Sequence, residues 1–211
     1  MTVFALDDFN NGSSGTDLST SADWTKRRGG SVGYLRYAST GALYGHFDEC
    51  LYSHNTSPPG ADYEVSADVH ITTKLNYMRY GVAARFDTVS GAHYKAYWRS
   101  TGTDSSAVVE LLRMSSLTEG AVVATSSLAM YQNDRRNIAL RCEGTDLAVL
   151  VDGLVVCEYT DPSPIAAAGF AGIVARNYYG GSATTGGAID NFGASTIASE
   201  RQRSRLILTP W

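Results

Sequence analysis

The chain is poor in cysteine and proline, has no long apolar run and carries no metal-ligand spacing, and each lack removes a class of protein. Only three of its 211 residues are cysteine, Cys50, Cys142 and Cys157, so one thiol is left over however they pair and a disulfide-stapled scaffold is excluded. Five prolines against 21 glycines and 13 tyrosines suit strands joined by glycine turns better than a collagen-like or disordered chain. No stretch nears the roughly 20 apolar residues a membrane-spanning helix needs. The opening Met1-Thr2-Val3-Phe4-Ala5-Leu6-Asp7-Asp8-Phe9 lacks the basic segment and the long apolar segment of an export signal. With 17 basic and 21 acidic residues the formal charge is -4, which offers nucleic acid no whole-molecule basic surface. The four histidines, His46, His54, His70 and His93, stand singly, with no His-x-x-x-His and no Cys-x-x-Cys to hold a metal.

What the sequence does contain is strand and turn. Residues 135 to 193 read as three strands, Asn137 to Glu143, Leu147 to Val151 and Leu154 to Tyr159, then an Asp161-Pro162 break, Ala168 to Ile173, and a closing Ile189 to Phe192. Glu143-Gly144-Thr145-Asp146 and Asp152-Gly153 supply the positive-φ positions that tight hairpins need. Upstream, Val65, Ala67, Val69 and Ile71 alternate with Glu64, Ser66, Asp68 and His70, the pattern of a strand with one buried face. Further strands are expected over Gly33 to Tyr37, Ala42 to Phe47, Ala107 to Met114 and Ala121 to Ser126. Residues 10 to 33 and 53 to 62 read as loops, the second because Pro58-Pro59-Gly60 cannot sit inside a sheet. A chain of this length with 44% hydrophobic residues forms one domain. The expected fold is all-β, a two-sheet antiparallel jelly-roll sandwich over residues 1 to 194, followed by a C-terminal arm over 195 to 211. In the meander, Cys142 and Cys157 lie two strands apart, roughly 9 to 10 Å, beyond the reach of about 7 Å within which a disulfide closes, so free, buried thiols are expected.

The central hairpin suggests a binding surface. If Tyr80, Val82, Ala84, Phe86, Tyr94, Ala96 and Trp98 fill the core, strict alternation puts Arg79, Arg85, Lys95, Tyr97 and Arg99 on the opposite face. Such a basic stripe can stack tyrosine on a sugar ring and direct arginines to carboxylate or hydroxyl groups. The plainer reading is a solvated face paired with Glu64 and Asp68 from the neighbouring strand. Tyr178 and Tyr179, in Asn177-Tyr178-Tyr179-Gly180-Gly181, form a second candidate that could stack on sugars, cover a sheet edge or meet another subunit. The tail joins Arg201, Arg203 and Arg205 to Leu206, Ile207, Leu208 and Trp211. An apolar end of this kind needs something to pack on, either its own domain or a neighbouring copy.

The order of strands and turns resembles the concanavalin A-like lectin/glucanase superfamily, laminin-G-like domains and phage sugar-binding modules included. The resemblance is carried by Asp7-Asp8-Phe9 with Trp24, Tyr63-Glu64-Val65, Tyr80-Gly81-Val82-Ala83-Ala84-Arg85, Tyr94-Lys95-Ala96-Tyr97, Ile138-Ala139-Leu140-Arg141, Gly169-Phe170-Ala171-Gly172-Ile173 and Ile189-Asp190-Asn191-Phe192. It spans about residues 4 to 194 and implies the fold; lectins, hydrolases and structural modules share it. Its glucanase branch implies acids in the form Glu-x-Asp-x-x-Glu, and here Glu64-Val65-Ser66-Ala67-Asp68 has serine at the middle position. Glu64 and Asp68 stand roughly 13 Å apart along a strand, too far for the carboxyl pair of a glycosidase, so the chain is not expected to be an enzyme.

Some members also hold a structural calcium near the chain ends. Asp8 and Asp190 alone make a poor site for one, Asp190 reads better as the cap of a turn before Asn191, and no other cofactor is implied. The combination points to a non-enzymatic structural or adhesive module of a bacteriophage virion, a capsid decoration, head-fibre or tail-associated protein made in the host cytoplasm without a signal peptide. Its partners would be copies of itself, other virion proteins and a cell-surface glycan. A free carbohydrate-binding lectin and a divergent glycoside hydrolase are the alternatives.

Overall fold

A computed structural model describes residues 1–29, 33–37, 43–71, 78–100, 107–176 and 187–197. Fifteen strands are present there: β1 (Val3–Asp7), β2 (Trp24–Arg28), β3 (Gly33–Tyr37), β4 (Leu43–Phe47), β5 (Cys50–His54), β6 (Tyr63–Ile71), β7 (Arg79–Phe86), β8 (His93–Ser100), β9 (Ala107–Met114), β10 (Gly120–Ser127), β11 (Arg135–Glu143), β12 (Asp146–Val151), β13 (Leu154–Thr160), β14 (Phe170–Arg176) and β15 (Gly187–Thr196). They form two antiparallel sheets. The first runs β13-β12-β11-β6-β15-β4-β3 with β1 added along β15, and the second runs β10-β9-β8-β7-β14-β5-β2. No helix among the described residues is long and apolar enough to cross a membrane.

The local signals behave as their chemistry dictates. The strand β6 alternates buried and half-buried without a break, and the meander β11-β12-β13 pairs in sequence order. Asp152 (φ 50) and Gly153 (φ 79) give the two positive φ values of a type I′ hairpin. Cys142 and Cys157 lie on β11 and β13 with β12 between them; all three thiols are free, Cys50 and Cys142 buried and Cys157 half-buried. Two strands fall where loops were expected. β2 is hidden in sequence because Lys26, Arg27 and Arg28 do not alternate, and its pairing with β5 slips between Lys26 and Arg28. β5 takes in Ser53 and His54, so the loop around Pro58 and Pro59 starts later than composition suggests. The last strand runs to Thr196, whose N donates to the Thr2 carbonyl at 2.9 Å and whose Oγ1 accepts from Thr2 N at 2.8 Å.

One irregularity repositions the site. Across β7 and β14, Phe86 faces Phe170 but Ala83 faces Gly172, so Ala84 and Arg85 oppose a single residue, and Arg85 takes φ 51. A bulge of this kind exchanges faces for the residues beyond it. Arg85 is thereby turned into the end of the sandwich and Phe86 onto its outer face. Gly169 makes room for this, since a Cβ there would lie 2.4 Å from the Arg85 backbone carbon and its own φ is +56. The interior core joins Tyr80, Val82, Ala84, Tyr94, Ala96 and Trp98 to Tyr63, Val65, Ile138 and Leu140 of the first sheet.

Candidate functional site

The outer face of the second sheet carries its own small core beside a cluster of charges. Leu51, Ala83, Phe86, Tyr97, Leu112, Met114 and Val174 pack there, with Leu117 and Phe170 against them. At one end the Arg27 guanidinium lies 5.7 Å from the Phe86 ring centre and 5.8 Å from that of Phe170. At the other, Arg79 and Lys95 lie 5.4 and 5.7 Å from the ring centre of Tyr97. Such contacts let cations cover aromatic surface while keeping a face toward water.

Glu49, the residue before β5, is the hub. Its Oε1 accepts from Lys95 Nζ at 2.7 Å and Arg28 Nη1 at 2.6 Å, and its Oε2 from Arg79 Nη1 at 2.9 Å. Burial pushes its carboxyl pKa up, but the charge and hydrogen bond of Lys95, then Arg28 and Arg79, outweigh this and bring it down to about 2. Beside it Arg99 Nε and Nη2 donate to Glu110 Oε1 at 2.9 and 2.6 Å. The Tyr97 phenol is held un-ionised, first by burial, while the guanidinium of Arg79 pulls the other way and its bond to Glu110 reinforces burial. These side chains line a shallow groove of about 340 Å³ floored by Leu112 and Met114.

Four of the five expected stripe residues, Arg79, Lys95, Tyr97 and Arg99, are therefore brought together, and one is not. Arg85 leaves the stripe because of the bulge: its side chain is buried, with Nε donating to the Ala61 carbonyl at 2.9 Å, Nη1 to those of Gly144 and Ile165 at 3.0 and 3.1 Å, and Nη2 to Asp62 at 3.3 Å. It ties three loops together at one end of the sandwich. Tyr97 stays in the stripe but is 1% exposed, roofed by Arg79 and Lys95, so its ring face is not open for stacking on a sugar. The expected partners of the stripe are also corrected. Glu64 and Asp68 belong to the first sheet, where Arg141 Nη2 meets Glu64 at 2.8 Å and Asp68 accepts from Arg135, Asn137 and Asn191. The acids that do face the stripe, Glu49 and Glu110, were missed. Glu110 had a signal, a lone acid in the apolar run Val108-Val109-Glu110-Leu111-Leu112; Glu49 had none, lying 30 and 46 residues from Arg79 and Lys95.

The other expectations separate likewise. Asp190 Oδ1 accepts from Asn191 N at 2.8 Å, capping the turn as expected, while its Oδ2 accepts from Arg135. Asp8 accepts from Asn10 N and does not meet Asp190 in any ion or hydrogen-bond pair among the described residues. A larger hollow of about 440 Å³ lies near Asp8, Asp23 and Tyr37 at the sandwich edge; Asp7, in its wall, already gives its two oxygens to Phe9 N and Trp24 Nε1. One Gly-x-Ser-x-Gly spelling occurs, Gly29 to Gly33, but it joins strand β2 to strand β3, not the strand-to-helix turn that shapes a nucleophile elbow. Tyr178 and Tyr179, and the arm residues Arg201, Arg203, Arg205, Leu206, Ile207, Leu208 and Trp211, lie outside the described residues.

No protein-family model and no curated protein sequence matches the chain. Solved structures do match it in shape. The carbohydrate-binding module CBM66 from Bacillus subtilis is 14% identical with a TM-score of 0.64, over 82% of this chain and 96% of that one. The CBM2 module of the Lactobacillus casei BL23 phage J-1 evolved Dit is 13% identical with a TM-score of 0.60, over 92% and 94%. The Bacillus licheniformis beta-glucanase is 13% identical with a TM-score of 0.56, over 94% and 99%. The strand order, the two packed sheets and these likenesses together give the chain the concanavalin A-like jelly-roll fold.

Proposed function

We propose that the chain is a non-catalytic carbohydrate-binding module of a bacteriophage virion, holding its ligand on the outer face of the second sheet. The observation that carries the reading is the groove around Glu49: partly exposed arginines fixed by buried acids, over an apolar floor, on a fold shared almost end to end with carbohydrate-binding modules. Rigid polar groups around an apolar floor are what a saccharide site requires. The arginines, not Tyr97, make the contacts.

Absence of catalysis is supported by the state of the acids. A glycosidase needs one carboxyl with a raised pKa to act as acid. Among the described residues every carboxyl with a displaced pKa is displaced downward, as at Asp8, Glu49, Asp68, Asp87 and Asp161. The virion setting draws support from the likeness to the phage module, and the arm from Arg201 to Trp211 is the element assigned to assembly with copies of itself or other virion proteins.

Glycan-array binding of the full chain and of Arg99→Gln, with a reducing-sugar assay on every bound saccharide, tests the reading. Binding that weakens in the variant and no sugar release are expected. A chain that binds no saccharide removes the proposal, and sugar release removes its non-catalytic half. For the assembly half, sedimentation should show an oligomer that is lost on cutting after Ile197, which leaves β15 whole; an unchanged species counts against an assembly arm.

A further inference from the structure

The groove on the outer face holds more positive charge than its own acids neutralise. Among the described residues Arg28, Arg79, Lys95 and Arg99 line it against Glu49 and Glu110, on a chain whose formal charge is -4. The acids are fully engaged: both Glu49 oxygens are taken by Lys95, Arg28 and Arg79, and Glu110 by Arg99 and Tyr97. The arginines are not withdrawn from water. Their side chains keep 28% exposure at Arg28, 27% at Arg79 and 28% at Arg99, and a guanidinium has five N–H donors, of which the bonds to Glu49 use one nitrogen each from Arg28 and Arg79.

The register adds a second observation. Arg99 is the direct cross-strand partner of Arg79, and Arg79 that of Arg176, so three arginines stand in one row across β8, β7 and β14. Like charges directly opposite one another destabilise a sheet, and an outward face needs only polarity to stay wet. Arg79 and Arg99 offset part of that cost through Glu49 and Glu110, and a ligand bearing negative charge would offset more, because it meets donors already fixed by buried acids.

We infer that the groove takes an anionic saccharide, whose carboxylate or phosphate lies among Arg28, Arg79 and Arg99 while its ring rests on Leu112 and Met114. The inference rests on the glycan-binding reading above and adds the charge of the ligand. A neutral saccharide would displace water from these guanidiniums and leave the surplus charge unmet.

The test is calorimetric titration of the full chain with oligosaccharides carrying uronate or phosphodiester groups, each beside its methyl-esterified or dephosphorylated partner, with double-stranded DNA as a polyanion that lacks a pyranose ring. Binding to an acidic saccharide is expected, weaker by about tenfold or more for its neutralised partner and falling as salt rises and shortens the screening length. The uronate and phosphodiester arms then identify which anion is read. Arg28→Gln and Arg99→Gln should each lose about tenfold for the acidic form alone. Equal affinity for acidic and neutralised partners, independent of salt, overturns the inference and leaves the glycan reading standing. Binding of no saccharide overturns both. DNA bound as tightly as the acidic saccharide, or acidic binding unchanged in both folded variants, overturns the assignment. Should either variant unfold, the ester and salt comparisons on the unaltered chain still decide.

Discussion

Lys95 Nζ lies 2.7 Å from Glu49 Oε1 with the two side chains only 4% and 6% exposed, a buried ion pair on the outside of a sheet. Removing one partner of such a pair leaves an uncompensated charge and costs about 3 to 5 kcal/mol. Glu49→Gln strands Lys95 together with Arg28 and Arg79, so urea unfolding should show a loss in that range. Lys95→Met added to Glu49→Gln should recover part of it, because the stranded ammonium is gone. A double variant no more stable than Glu49→Gln would mean that Lys95 is not the charge that Glu49 serves.

The same cluster sets an acid limit. Burial holds the His93 imidazole down at about 4 against an ordinary 6.5, the Gly91 carbonyl opposing and Lys95 assisting, so the folded protein keeps it neutral. Because its folded pKa lies below its unfolded one, the unfolded chain binds the proton first, and stability falls as pH drops from 6.5 to about 4, by about 3 kcal/mol. Glu49, at about 2 against 4.5, adds a second loss below pH 4.5. Thermal melts at stepped pH should therefore decline from pH 6.5 downward, and His93→Gln should flatten the upper part while leaving the loss below 4.5. A variant that declines in parallel with the parent would assign the upper step to another group.

Much of this fold is legible in the chain, and the site is legible only in part, for one reason. Signals held within a few residues survive: the alternation from Val65 to Ile71 and the Asp152-Gly153 turn each state their own geometry. Signals that depend on a partner strand do not. Nothing near Arg85 announces a bulge, because the residue that leaves room for it is Gly169, 84 residues later in sequence, and so strict alternation assigns Arg85 and Phe86 to the wrong faces. Glu64 looks like the acid for the stripe because it is near in sequence, whereas Glu49 is near in space. Tyr97 lies on the expected face, but its roof of Arg79 and Lys95 depends on how β7 pairs with β8.

Arg85 should be among the costliest residues to change. Its guanidinium serves three carbonyls and Asp62 from a site 1% exposed, so Arg85→Ala empties a buried site and removes every one of these bonds at once, and should cost about 3 kcal/mol or more. Arg85→Lys should recover little, since a compact ammonium cannot span the fork of acceptors that a planar guanidinium reaches. Chemical unfolding of the two variants checks this; near-parental stability for the lysine form would show that charge alone holds the loops.

The bulge that buries Arg85 also turns Phe86 onto the outer face under Arg27, so one glycine should govern the packing of both. Gly169→Ala brings a methyl to within 2.4 Å of the Arg85 backbone at a φ of +56, a clash with main chain that no rotamer relieves, and about 3 kcal/mol or more of destabilisation is expected. Gly60 has open space around it and no positive φ, so Gly60→Ala should stay within about 0.5 kcal/mol of the parent. If β7 relaxes by losing its bulge, Phe86 returns toward the interior and Arg27 loses the ring it covers. Near-ultraviolet dichroism should then change in Gly169→Ala below its melting point, while Gly60→Ala keeps the spectrum of its parent. A Gly169→Ala chain that melts like its parent and keeps its spectrum would show that the bulge is held by β8 and Arg85 without help from the β14 side.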